Sequence, residues 1–369
     1  MKKIISNTQS EYRGKSVLLA LSGGVDSAVS ALRLKAMGLE VHAVHMLLWT
    51  MPEVESQAFA EAKRAEALAK QLAIPFTLLD LREYFYAEVV TPFLAEYAAG
   101  RTPNPCVICN QCLKFKLPEL AALEGAGEHD YFATGHYARV CLGDDGFYHL
   151  HEAKDPMKDQ SYMLYHLDQL MLSRLLLPLG ESSKEEIRAE AAAYGLAAAK
   201  KKDSQDICFI ADKDHHNFLA SQNCASKPGH FVDRDGKVLG EHRGIGHYTV
   251  GQSKKLGIAL GERQVVSKIN ALDNSIVLMP RSEFKQTEAH LKKLSFILPE
   301  PPESGIKLSL AVRYRARKCP VIVDSEHPHL LAGGECRVYN NDGLPAFSPG
   351  QAGVFYAGTE VVGGGIFKA

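Results

Sequence analysis

Apolar and polar positions change period several times along the N-terminal half of the chain. Residues 16–21, SVLLAL, are a short continuous apolar run that delivers the chain to SGGVDS. Residues 28–38, AVSALRLKAMG, then place Val29, Leu32 and Ala36 on one helical face before Gly38 ends the run. LEVHAVHMLL (39–48) reads as a buried strand, SQAFAEAKRAEALAKQLA (56–73) as an amphipathic helix, and IPFTLLDL (74–81) as a strand closing a second β-α-β unit. LPELAALEGAG (117–127) continues as helix and HDYFATGHY (129–137) as a strand ending in a Gly-His turn. Ser183 and Glu186 stand at capping-box spacing at the head of a further helix that stops before Gly195. The pattern predicts a doubly wound parallel α/β sheet.

Beyond about residue 215 the long helical periods disappear. Short β-rich runs are separated by turn signals such as DRDGK (233–237) and LDNS (272–275), and a proline-rich break, LPEPPESG, occupies 298–305. The expected organisation is a catalytic α/β domain over 1–215, a small central β module over 216–283 and a C-terminal β-barrel-like domain over 284–369. Within the last, VRYRARK (312–318) reads as a strand with Arg313, Arg315 and Arg317 on one face, a basic stripe suited to RNA phosphate.

Composition adds exclusions. The 369 residues are 46% hydrophobic and 23% charged with a formal net charge of -1, so a nucleic-acid site must rest on local patches and not on bulk charge. The N-terminal MKKIISNTQSEYRGKS lacks the apolar core of a secretory signal, and no run reaches membrane-spanning length. Eight scattered cysteines do not resemble a secreted disulfide framework; the expectation is a cytoplasmic protein with reduced thiols and no membrane partner.

The glycine loop sits where a strand meets a helix N-terminus, an arrangement that aims backbone N–H groups and the helix dipole at an anion. Gly23 and Gly24 permit close approach, Ser22 and Ser27 add hydroxyls, and Asp26 is suited to orient the loop or to help hold magnesium. Neither the Walker A lysine nor G-x-G-x-x-G is present. The string SGGVDS resembles the PP-loop of the N-type ATP pyrophosphatases, which adenylate a substrate and release pyrophosphate. That resemblance implies ATP and Mg2+ as cofactors, with Ala20, Leu21, Ser22, Gly23, Gly24, Val25, Asp26 and Ser27 around the phosphates and Met46 and Gly135 at the adenine.

The stretch NPCVICNQC (104–112) holds three cysteines, open to reading as a metal knuckle, a disulfide clip or reactive thiols. A zinc site lacks a fourth nearby ligand, and Cys112 reads as a bystander. Cys141, Cys224, Cys319 and Cys336, and His45, His149, His151, His215 and His216, carry no ligand spacing and read as ordinary core or surface groups. A second site, Cys208 in DSQDICFI, suits sulfur transfer, in which one thiol carries a persulfide and another attacks it. The charge run Lys200, Lys201, Lys202 reads either as solvated surface or as a phosphate contact near that cysteine.

Taken in order, LSGGVDS, GRTPNPCVICN, KFK, ATGHYAR, KDQSYMLY, DSQDICFI, GEHRGIGHYTVGQ, VRYR and SPGQAGVFY resemble the bacterial tRNA-specific 2-thiouridylase (MnmA/TrmU) family over nearly the whole chain. The resemblance implies ATP-dependent 2-thiolation of the wobble uridine, U34, of glutamate, glutamine and lysine tRNAs, with a persulfide donor protein as partner. It assigns Cys109 as nucleophile and Cys208 as persulfide carrier, and sets Asn104, Pro105 and Cys106 against the target base. His136, Lys158, Asp159, Gln160, Arg313, Tyr314 and Gln351 would contact the anticodon arm. Cys106 stands where much of the family has aspartate. Some sulfur-transfer relatives with C-x-x-C and a distant cysteine hold an iron–sulfur cluster, so a 4Fe–4S cluster on Cys106, Cys109 and Cys208 is the alternative to a persulfide route. A PP-loop amidotransferase, a lysidine-type ligase and a non-catalytic RNA- or metal-binding module are the competing functions.

Overall fold

The computed structural model describes residues 12–49, 55–197, 207–210, 214–222, 224 and 226–369. The run Lys200, Lys201, Lys202 lies outside the described residues, as does the side chain of His216. The chain begins with β1 (Ser16–Ala20), α1 (Val25–Ala36), β2 (Glu40–Leu47), α2 (Glu55–Gln71) and β3 (Phe76–Asp80). Helices α3 (Thr91–Ala98), α4 (Pro105–Cys112) and α5 (Leu117–Leu123) precede β4 (Tyr131–Ala133). A hairpin follows, β5 (Ala138–Leu142) and β6 (Tyr148–Glu152), then a short β7 (Leu175–Leu176) and α6 (Lys184–Ala193). The sheet order is β3-β2-β1-β4-β7, every pairing parallel.

Alternation along these strands builds a core on each face of the sheet. Val17, Leu19, Val41 and Ala43 meet α1 and the α2 residues Ala65, Leu68 and Ala69 on one side. Leu18, Val44 and Phe132 meet Phe93, Val107 and Phe115 on the other. Helix α1 is more enclosed than a one-faced pattern predicts, because α6 packs on it and Arg33 pairs with Glu190 at 2.6 Å. Leu34 is therefore buried, whereas Ala36, assigned to the apolar face, is exposed. The capping box at Ser183 and Glu186 forms with both hydrogen bonds present.

The second sheet contains β8 (Gly229–Val232), β9 (Val238–His242), β10 (Gln264–Asn270) and β11 (Ser275–Pro280), around Phe231, Val266, Ile276 and Leu278. The third contains β12 (Gln286–Phe296), β13 (Ile306–Ala311), β14 (Cys319–Asp324), β15 (Glu335–Leu344), β16 (Ala352–Ala357) and β17 (Glu360–Phe367). Pairing of β12 with both β15 and β17 closes these six antiparallel strands into a barrel. The β5–β6 hairpin of the first domain joins its outside through Glu360 and His151. Residues 312–318 are a turn between β13 and β14, not the expected strand: Arg315 adopts φ 59° and Ala316 N–H donates to the Arg313 carbonyl at 3.0 Å. Val312 is buried in the barrel core and Ala316 packs against it, but the chain reverses at Arg315, where a positive φ ends strand geometry. Arg313, Arg315 and Arg317 are nonetheless all exposed.

The three sheets meet just before α4. Thr102 N–H donates to the Pro349 carbonyl of the barrel at 2.9 Å, and its hydroxyl reaches Thr249 of the central module at 3.3 Å. Gly100, at φ 68°, sits so close to Ile269 that an added Cβ would lie 2.7 Å from its Cγ2. Gly350, at φ 89°, likewise presses against Glu96 and Arg101, which form a salt bridge at 2.6 Å.

Candidate functional site: a glycine loop facing a cysteine recess

The glycine loop is shaped by its own hydroxyls. Ser27 Oγ donates to the Gly24 carbonyl at 3.1 Å, accepts from the Ser22 N–H at 3.2 Å and lies 3.1 Å from Ser22 Oγ. Gly23 takes φ 70° and lies against the α2 backbone at Ala65, where a Cβ would stand 3.2 Å from the amide nitrogen. Gly24 is the N-cap of α1 and brings no side-chain cap, so the first-turn N–H groups have no acceptor among the described residues. An uncapped helix start behind a glycine cradle fits an ATP phosphate. Gly135 sits so close to the start of α1 that an added Cβ would stand 3.3 Å from Asp26 and from the Ser27 nitrogen, a tight contact. Met46 lies half-buried on β2 against the core.

Asp26 is engaged from two sides. Lys184 Nζ donates to both carboxylate oxygens at 2.7 Å and Tyr137 Oη donates to Oδ1 at 2.6 Å. Lys184 is buried and its ammonium also stands 5.8 Å from the Tyr137 ring centroid. The carboxylate thus orients the loop; a magnesium ion on Asp26 would have to displace an ammonium. Lys184 escapes a sequence reading because it is the first residue of a capped helix, far along the chain.

Helix α4 owes its start to Asn104, whose Oδ1 accepts from the N–H of Cys106 at 3.1 Å and of Val107 at 3.4 Å, with Pro105 at the first helical position. Asn104 and Pro105 therefore hold the cysteine helix in place. Cys106 is exposed and Cys109 buried. Cys208 reaches the same recess, near enough that Cys109 and Cys106 both act on its ionisation. Its neighbour Phe209 anchors it, buried among Trp49, Phe85, Phe93 and Phe218 with ring centroids 5.2 to 6.1 Å away.

Cys106 and Cys208 keep accessible surface, but dense protein surrounds each sulfur. This enclosure pushes the Cys109 thiol up to about 11 and Cys208 up to about 12, and raises Cys106. Lys114, in the turn that follows α4, opposes the rise at all three. Cys112 is also raised to about 11, and its Sγ bonds the Ile108 carbonyl at 2.8 Å. Among the described residues no group of three His, Cys, Asp or Glu side chains is placed to hold a single metal ion.

His136 is buried beside Phe115, its Nδ1 2.7 Å from Thr134 Oγ1, and desolvation lowers its pKa far below the ordinary value. Asp159 and Gln160 are used inside the fold. Asp159 accepts from Ala153 N–H at 2.8 Å and Ser161 Oγ at 2.9 Å, and Gln160 Oε1 accepts from Tyr137 N–H at 2.9 Å. Tyr314 packs on Tyr162 at 6.2 Å and lies within electrostatic reach of Lys158 and Asp159. The structure thus brings the KDQ turn and the arginine turn together, although they belong to different sheets. Gln351 lies half-buried in the loop that carries Gly350, where its carbonyl accepts from Phe367 N–H at 2.9 Å.

Three family models match in succession: a tRNA methyl transferase HUP domain over residues 15–212, a tRNA methyl transferase PRC-barrel domain over 216–280 and an aminomethyltransferase beta-barrel domain over 286–367. The chain is 41% identical over 364 residues to the tRNA-specific 2-thiouridylase MnmA of Carboxydothermus hydrogenoformans, covering 96% of this chain and 98% of that one. It is 42% identical over 356 residues to the protein of the same name from Desulforudis audaxviator, with the same coverage of 96% and 98%. Among solved structures, a 4-thiouridine synthetase in complex with RNA and ATP matches 57% of this chain and 50% of its own at 16% identity and a TM-score of 0.37. The U34-tRNA thiolase NcsA of Methanococcus maripaludis, with its 4Fe–4S cluster, matches 57% and 67% at 18% identity and a TM-score of 0.35.

Proposed function

The chain belongs to the tRNA-specific 2-thiouridylase family and is a tRNA sulfurtransferase built on a PP-loop domain, and we propose that it thiolates the C2 position of the wobble uridine of glutamate, glutamine and lysine tRNAs with sulfur carried as a persulfide on Cys208. The observation that supports this reading is that Cys208, distant in sequence, lies within electrostatic reach of Cys109 and Cys106 in the PP-loop domain.

ATP supplies the adenylyl group that turns a poor urea-like carbonyl into one with a leaving group. The first turn of α1 and the Ser22–Ser27 loop hold the phosphates while uridine O2 attacks the α-phosphorus. The α–β bond breaks, pyrophosphate departs, and the N3 proton passes to solvent. The terminal sulfur of the Cys208 persulfide then attacks C2, and AMP leaves with the former O2. Cys109, as thiolate, attacks the Cys208 sulfur; the S–S bond breaks toward the base, giving 2-thiouridine once N3 is reprotonated and leaving a Cys109–Cys208 disulfide. A small dithiol or a donor protein's thiols reduce that disulfide before the next persulfide is loaded. Desolvation of both thiols keeps them protonated and unreactive until a donor or substrate alters the recess.

Lys158, Arg313, Arg315, Arg317 and Tyr314 form the surface against which the anticodon arm is proposed to lie, holding phosphates while the uridine is flipped inward. The deciding experiment supplies persulfide, ATP and unmodified glutamate tRNA and quantifies 2-thiouridine by nucleoside mass spectrometry. Product is expected with the native protein and none with Cys109→Ser or Cys208→Ser. Turnover of an amine donor by the doubly substituted protein would sink the sulfur-transfer reading in favour of an amidotransferase or ligase.

A further inference from the structure

Asn110 follows the proposed nucleophile and is 1% exposed. Its Nδ2 donates to the Met163 carbonyl at 3.4 Å, an acceptor that fixes which way round the amide lies. Its Oδ1 has no hydrogen-bond partner. A buried carbonyl without a donor is costly enough that native proteins rarely leave one unmatched. His166, which packs against Phe115, is likewise without a partner at either ring nitrogen. The neighbourhood is therefore polar and incomplete, unlike an apolar void.

Position on the helix says what could complete it. Cys106, Cys109 and Asn110 are related by three- and four-residue steps, so they share one face of α4. Cys106 is the exposed rim of that face and Asn110 its buried end, one turn or about 5.4 Å further along. A base entering past Cys106 with its C2 toward Cys109 carries N3–H as the next group on the same edge. Uracil presents a donor there, whereas cytosine presents an acceptor. We infer that Asn110 Oδ1 accepts the N3–H of the target uridine and thereby makes this recess selective for uridine over cytidine. This rests on the proposed target, and a carbonyl buried beforehand strengthens the discrimination, because a base without the donor leaves the acceptor unpaired.

The test uses glutamate tRNA carrying at the wobble position either uridine or cytidine, which replaces the N3–H donor by an acceptor. Affinities are measured by filter binding for the full-length protein, Asn110→Leu and Asn110→Ser, the serine variant withdrawing the carbonyl without adding apolar bulk. Thermal unfolding is followed in parallel. The native protein is expected to prefer uridine about tenfold, and the variants to bind both tRNAs alike. Equal binding by the native protein, or a preference that survives in a folded variant, would overturn the inference and leave Asn110 as packing alone. Failure of the native protein to form 2-thiouridine on the uridine tRNA would instead strike the underlying reading.

Discussion

The two ends of the catalytic domain are finished to different degrees. At the glycine loop each polar side chain has a partner: Ser22 with Ser27, and Asp26 with Lys184 and Tyr137. At the cysteine recess the thiols are raised by burial, Asn110 and His166 lack partners, and Lys114 has no ion-pair partner among the described residues. The contrast fits the proposed roles: a nucleotide end preorganised before anything binds, and a sulfur end left for its substrate to complete. A phosphate site recurs unchanged in every turnover and suits fixed wiring; a recess that must admit a base and receive sulfur cannot be closed in advance.

Substitutions can break this contrast. The largest effect is expected at the sulfur end, where Cys109→Ser or Cys208→Ser should lower 2-thiouridine formation on the order of a thousandfold or more. Pyrophosphate release that depends on tRNA should continue in both; its loss would mean the two ends are not separable. At the wired end, Lys184→Met strands a half-buried carboxylate, expected to cost about 2 kcal/mol of stability and to slow pyrophosphate release roughly a hundredfold. Persulfide loading of Cys208, followed by gel shift with a thiol-reactive label, should be untouched.

A pH series sharpens the point. With Cys109 near 11 and Cys208 near 12, alkylation by iodoacetamide should keep rising about tenfold per unit beyond pH 9, where an ordinary thiol levels off. Lys114→Met should slow it further by removing the opposing charge. The unfolded thiols ionise near 9.0 and the folded ones later, so the folded chain holds more protons in that interval. Stability contributed by these thiols should therefore fall as pH rises from about 9 toward 12. A plateau in alkylation near pH 9 would show the recess to be open in solution. The smallest effect belongs to the arginine turn. Alanine at Arg313, Arg315 or Arg317 should weaken tRNA binding several-fold and lower the salt slope by about 1, without altering which base is modified.

What the chain discloses by itself follows the range of the forces involved. The glycine loop, the parallel β-α alternation and the Ser183 cap were legible because strand, turn and helix signals act over a few neighbouring residues. The enclosure of α1 was not, since α6 returns to cover it from far along the chain and buries Leu34 in place of Ala36. VRYRARK has strand-like alternation, with Val312, Tyr314 and Ala316 packed against the cores, yet a reversal at Arg315 took precedence. Lys184 has an unremarkable sequence context, and Tyr137 and Asn110 stand within family motifs without a role of their own; only proximity reveals Lys184 and Tyr137 on Asp26 and an unmatched carbonyl on Asn110. The addition of β5–β6 to the barrel was likewise invisible, because a hairpin signal does not say which sheet it will extend.

The seam at Gly100, Thr102 and Gly350 limits how the molecule could be taken apart. The stretch that launches the cysteine helix is bolted to the central module by Thr249 and to the barrel by Pro349, with an added side chain clashing at Gly100 and crowded at Gly350. Removing the barrel would leave the hairpin with an open edge and the first turn of α4 with half its moorings. The three sheets are thus separate in architecture but inherited as one piece: a tRNA-gripping barrel from another protein could not be grafted on without rebuilding the stretch that aims Cys109.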